Sequence, residues 1–96
     1  MNTFYLEESP LANKKLRIHL PTGKHIDFGA RGYEDFTTTK DTARKERYLA
    51  RHKKRENWND LSTAGFWSRW LLWNKPTIRA SIIDVENNFK IKILTQ

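Results

Sequence analysis

The chain has 96 residues, with 18 Lys and Arg against 11 Asp and Glu, a formal charge of +7 and no cysteine. That length suits one small domain over residues 1–96, burying about two-thirds of the surface its unfolded chain would expose. The lack of thiols excludes disulfides and thiolate metal sites, and no apolar run comes near the ~20 residues of a membrane-spanning helix. The charge points to nucleic acid, an anionic membrane surface or an acidic protein face as partner, without choosing among them.

MNTFYLEESP lacks the basic start and apolar core of a signal peptide, so a cytosolic or nuclear chain, or one packed into an assembly made there, is expected. Phe4-Tyr5-Leu6 is a short apolar patch broken by Glu7, Glu8, Ser9 and Pro10, and residues 1–13 read either as an N-terminal arm or edge segment or as an ordinary first strand packed on its own sheet. Lys15 to Leu20 alternates, with Leu16, Ile18 and Leu20 on one face and Lys15, Arg17 and His19 on the other. Pro21-Thr22-Gly23-Lys24 is a turn signature, and His25 to Phe28 alternates again with Ile26 and Phe28 inward. The two runs predict a hairpin with one wet face, which needs a third strand or a helix to be stable. His19, His25 and Asp27 fall where polar residues of that wet face belong, so no metal site is read from them.

Gly29-Ala30-Arg31-Gly32 lacks the spacing and Lys-Ser/Thr ending of a phosphate loop. It also does not stand between two helices as a KH clamp does, so it reads as a turn. Tyr33 and Phe36 are expected to anchor the connection, and Thr37-Thr38-Thr39 to extend the chain toward the next element.

Asp41 to Trp58, DTARKERYLARHKKRENW, contains no Gly or Pro and predicts a helix capped by Thr39 or Asp41. Its apolar stripe is thin, made of Tyr48, Leu49 and His52, so a broad side faces water or an acidic partner. Arg44, Lys45, Arg47, Arg51, Lys53, Lys54 and Arg55 are its candidate contacts to phosphate or acidic protein. Helical periodicity lets about three to five of them touch one duplex at once.

Ser62 or Thr63 can cap a second helix, Ala64 to Trp73, in which only Ser68 and Arg69 are polar and Gly65 weakens the first turn. So much apolar surface places this helix in the domain centre, or half there and half against a partner. Trp58, Trp67, Trp70 and Trp73 fall within sixteen residues. They read either as plain core or as core plus partner-binding anchors, tryptophan being enriched at interfaces. Trp73, beside the Asn74-Lys75-Pro76 corner, is expected to stay partly exposed and to be covered by a neighbour in an assembly.

Pro76 suits the first turn of a third helix running to Asn88. Ile78, Ile82, Val85 and Phe89 form its stripe, and Lys90 to Leu94 alternates as a last strand. The fold class is α+β, a small antiparallel sheet made of the N-terminal hairpin and a C-terminal strand, covered by two or three helices. No catalytic constellation stands out: the carboxylates are scattered, there is no thiol, and the serines lie in no nucleophile motif. A non-enzymatic protein with no cofactor and no small-molecule substrate is expected.

The stretches IDFGARGYEDFTTTKD, RKERYLARHKKRENW and TAGFWSRWLLWNKPTIRASI, from Ile26 to about Ile83, resemble a small basic protein family of nucleocytoplasmic large DNA viruses of algae and amoebae. The resemblance implies a virus with a layered icosahedral particle and carries no residue-level role. It implies location in the virion, with assembly in host cytoplasm or a viral factory. The first expectation is therefore a minor capsid protein contacting other capsid proteins inside the shell, its tryptophans serving as anchors and its basic helix facing acidic loops or an anionic membrane. The alternative is a basic nucleic-acid-binding protein with little sequence specificity, acting in viral DNA packaging or regulation.

Overall fold

The computed structural model describes residues 2–95. The fold is α+β: strands β1 (Thr3–Glu8), β2 (Lys14–His19), β3 (His25–Ala30) and β4 (Lys92–Thr95) form one sheet in the order β3-β2-β1-β4. Helices α1 (Phe36–Thr39), α2 (Thr42–His52), α3 (Ala64–Trp67) and α4 (Ile78–Phe89) come between β3 and β4.

The hairpin forms as its alternation requires. β2 and β3 pair antiparallel, with Leu16 opposite Phe28 and Ile18 opposite Ile26. Gly23, at φ 93, supplies the left-handed turn position, and Leu20 N–H bonds Lys24 O at 2.8 Å. The wet face carries Arg17 opposite Asp27, joined by Nε to Oδ1 at 2.9 Å and Nη2 to Oδ2 at 3.1 Å. Ser9 Oγ–H adds a bond to Asp27 Oδ1 at 2.6 Å. His19 pairs with Glu7, and its ring lies 6.0 Å from that of His25. Among the described residues, no three metal-ligating side chains converge.

The hydrogen bond from Arg17, aided by that from Ser9 and by the nearby charge, holds the Asp27 carboxyl below its ordinary value of 3.8. A depressed carboxylate stabilises the fold above the unfolded value and loses that contribution as acid protonates it. Asp27→Asn is therefore expected to lower the thermal midpoint at neutral pH. The gap to the parent should close as pH falls below 3.8, as a series of melts across that range would show.

In the described part of residues 1–13 the strand reading holds, and the arm or edge does not. Thr3–Glu8 is an inner strand, antiparallel to β2 and parallel to β4, with Leu6 opposite Ile18 and Phe4 opposite Ile93. Phe4 and Leu6 are buried, while Tyr5 and Glu7 point to the wet face. The glutamates do not break the strand because Glu7 meets His19 and Glu8 meets Arg31 at 3.2 Å. The sheet is consequently mixed rather than antiparallel, and the C-terminal strand joins β1 instead of the hairpin. Its outer edge is met by a side chain: Ile93 N–H donates to Glu86 Oε2 at 2.9 Å.

Helices cover the apolar face of the sheet. Phe66, Trp67, Leu71, Leu72 and Val85 join Phe4, Leu6, Ile18, Phe28, Ile91 and Ile93 in one core, with Ile78, Ile82 and Phe89 packed partly buried against it. The α4 stripe thus falls where its spacing puts it. The helix starts later than Pro76, because Thr77 is the cap and its hydroxyl accepts from Ala80 N–H at 3.1 Å. Thr63 caps α3 in the same way, at 3.2 Å from Phe66 N. From Ser68 to Leu72 the helix widens to a π turn, closed by Trp73 N–H on Ser68 O at 3.1 Å.

Two departures concern the middle of the chain. Thr37-Thr38-Thr39 is not extended but lies in α1, nucleated by a capping box. Asp35 accepts from Thr37 N–H at 2.9 Å, and Thr38 Oγ1 accepts from Asp35 N–H at 3.0 Å. The basic helix, capped by Asp41, ends at His52 rather than near Trp58, so Lys53, Lys54 and Arg55 sit on the turn beyond it. The chain leaves the helix there because Glu56 folds back to His52 Nδ1 at 3.0 Å and takes Trp58 Nε1–H at 2.9 Å.

Candidate functional site

The basic helix α2 is attached through Tyr48, its one buried residue. The Tyr48 ring stacks on Trp73 at 4.3 Å, with 5° between planes, and on His52 at 4.1 Å. Two near-parallel neighbours at such distances need the two faces of Tyr48, so Trp73, Tyr48 and His52 form a column with the imidazole at its end. Burial pushes the Tyr48 hydroxyl well above its ordinary range, so it remains neutral.

Fixing Tyr48 inward sets the orientation of every cation on α2. Lys45 turns toward the body of the domain: its Nζ donates to Asn74 O at 2.6 Å and lies 5.0 Å from the centre of the Phe36 ring. Desolvation, reinforced by Arg69 and Lys75, pushes its pKa down. It is a structural lysine, not part of the basic surface expected from the sequence. Arg44 is half-exposed and reaches Glu34 at 3.5 Å. Arg47, Arg51, Lys53, Lys54 and Arg55 are exposed and, among the described residues, none has a carboxylate within ion-pair distance. They follow one another from the outer side of α2 into the turn after it, a continuous cationic ridge.

The tryptophans divide differently from the expectation that all four are anchors. Trp67 is 0% exposed and donates its Nε1–H to Leu61 O at 2.8 Å, so no partner reaches it. Trp70 and Trp58 are half-buried, with Trp70 Nε1–H on Trp58 O at 2.8 Å. Both face Arg69, whose guanidinium lies 4.2 Å from the Trp70 ring centre and 5.2 Å from that of Trp58. Arg69 Nε is buried with no hydrogen-bond partner among the described residues, and desolvation lowers the pKa of the group. Trp73 is half-buried, as its place by the corner suggests.

Beside the ridge lies a cleft of about 450 Å³ between the end of β3, α2 and the start of α3. Tyr33, Tyr48, His52 and Trp73 supply its aromatic lining, and Lys14, Lys15, Arg44 and Arg51 its cations. Its three carboxylates are engaged: Asp35 with Lys15 at 2.6 Å, Glu34 with Arg44, and Glu56 with His52. Lys14 and Arg51 are left without an ion-pair partner among the described residues. Two glycines shape the walls. A Cβ on Gly29, already at φ 78, would stand 2.7 Å from Leu72 Cδ1, and one on Gly65 would stand 2.8 Å from Glu56 Cδ. Gly65 is thus where the Glu56 carboxylate passes over α3, which explains a residue that intrinsic propensity only counts against the helix.

Tyr33 does not anchor the connection. It is 74% exposed at the rim of the cleft, the most exposed large hydrophobic side chain among the described residues. Sequence reasoning did not single out Lys14, Asp35 or Glu56; of these, Asp35 carried a signal, the Asp-x-x-Thr capping pattern before Phe36.

Among the described residues no helix is long and apolar enough to cross a membrane. No curated protein and no solved structure matches the chain. A family model does, over residues 5–52, from Tyr5 in β1 to His52 at the end of α2, and the chain belongs to that family, DUF5754, a family of unknown function.

Proposed function

We propose that this is a non-enzymatic nucleic-acid-binding protein that holds the phosphate backbone with little sequence specificity. The observation that carries the reading is the ridge of Arg47, Arg51, Lys53, Lys54 and Arg55, exposed and, among the described residues, without carboxylate partners, on a chain of net charge +7. Cations free of internal partners bind phosphate without first breaking an ion pair, and release condensed counterions as they do so. The sequence carries no known base-reading motif beside these cations, so the contacts are expected to position the protein without reading sequence. The minor-capsid reading draws on tryptophan anchors, and the enclosure of Trp67 together with the internal bonds of Trp58 and Trp70 weakens its support. The setting we propose, following the resemblance to proteins of large DNA viruses, is packaging of viral DNA.

Three to five phosphate contacts correspond to a loss of roughly 100-fold in duplex affinity between about 50 and 200 mM salt. The variant Lys53→Ala/Lys54→Ala/Arg55→Ala, changed only on an exposed turn, is expected to bind more weakly and to reduce the slope of log K against log salt by about 2 to 3. Fluorescence anisotropy with a labelled duplex measures both. No binding at low salt, or an unchanged slope in the triple variant, would overturn the proposal.

A further inference from the structure

We infer that the preferred ligand is a single strand, with one nucleobase taken into the cleft beside the ridge and stacked against Tyr33 and the His52 end of the aromatic column. The inference rests on the nucleic-acid reading and adds the strandedness of the ligand.

Four observations converge on it. Tyr33 leaves 74% of its surface in water, whereas Phe36, three residues on, is 4% exposed. An exposed aromatic ring on a cationic surface is the element with which single-strand binders hold bases, since every base has a face to stack. The column Trp73–Tyr48–His52 ends in an imidazole whose side chain is 39% exposed, so the stack is open to a further ring at the cleft. The volume of about 450 Å³ lies within the range of small-molecule pockets, room for one nucleotide rather than a duplex edge. Finally, Arg51 lines the cleft and also belongs to the ridge, while Lys14, without an ion-pair partner among the described residues, lines the cleft from β2. A strand whose phosphates run along the ridge therefore passes the cleft mouth, where its base can turn in. In a duplex the base faces are already stacked on one another and are not offered.

The test compares an oligothymidylate, a duplex of the same length, and an abasic deoxyribose-phosphate strand, by anisotropy with the full chain at one low salt concentration. Charge alone favours the duplex, whose counterion release per contact is larger. Tighter binding of the oligothymidylate than of the other two is expected. Tyr33→Ala, which removes an exposed ring and keeps the Tyr33 N–H bond to Ala30 O, should lower oligothymidylate affinity about tenfold and leave the duplex unchanged. Circular dichroism of the variant confirms its fold. Duplex bound as tightly as the single strand, or a Tyr33→Ala variant that loses nothing on the single strand, would overturn the inference and leave the nucleic-acid reading standing. Failure of all three ligands to bind would overturn both.

Discussion

Trp67→Ala is expected to cost about 4 kcal/mol, a large share of the stability of any small domain. The ring is 0% exposed, 5.4 Å from the centre of Phe4 and edge-on to Phe66 at 4.8 Å, so it joins the first strand to the helix above the sheet. Truncation leaves a void that Ile18, Phe28 and Leu71, all close-packed, cannot collapse to fill. It also orphans Leu61 O, which now accepts the indole N–H. Trp67→Phe keeps most of the apolar contact and loses the hydrogen bond, so its cost should be about half or less. Urea unfolding followed by far-UV circular dichroism gives both values. A loss below about 1 kcal/mol for the alanine variant would mean that the ring is not the centre of the core.

Asp35→Ala is expected to cost about 3 kcal/mol through a different cause, since no cavity of comparable size forms. Asp35 is 3% exposed and accepts from Lys15 Nζ at 2.6 Å, Thr37 N–H at 2.9 Å and Thr37 Oγ1–H at 2.5 Å. Removing the carboxylate strands a lysine whose side chain is only 21% exposed and uncaps α1. The cap by itself accounts for about 1 kcal/mol and the unpaired charge for most of the remainder. Asp35→Asn, able to keep the cap and unable to pair with Lys15, should fall between parent and alanine. Chemical denaturation ranks the three proteins. Hydrogen exchange should show the amides of α1 released first in the alanine variant.

Local patterns were legible where their cause is local. The alternation in KLRIHL, the Gly23 turn, the caps Asp41 and Thr63 and the stripe of α4 each depend on residues close in sequence, and each is where the pattern places it. The position of β1 was not legible, because its inner place is created by β4, nearly ninety residues later in the chain. An arm and an inner strand share the alternation of TFYLEE until a second partner is known. The same holds for the cations of α2. In sequence Lys45 and Arg47 are equivalent, and only the docking of Tyr48 on Trp73 turns one inward and the other outward. Tyr33 was misjudged because exposed and buried tyrosines have the same composition; its exposure follows from the path of the loop after Gly32, at φ 91. The end of α2 lacks any breaker residue, and the fold-back of Glu56 onto His52 and Trp58 is a tertiary event.

The bond from Ile93 N–H to Glu86 has a bearing on crowding. Under the nucleic-acid binding proposed above, copies would gather side by side on one strand, where their local concentration is high. Open strand edges recruit one another under those conditions and lead to aggregation. On β4 the outward N–H of Ile93 is already occupied by a carboxylate, and Lys92 stands exposed on the same short strand. A second sheet approaching that edge would have to displace a charge and bring its own backbone against another. If copies do bind side by side as proposed, this edge would resist fusion of neighbouring sheets.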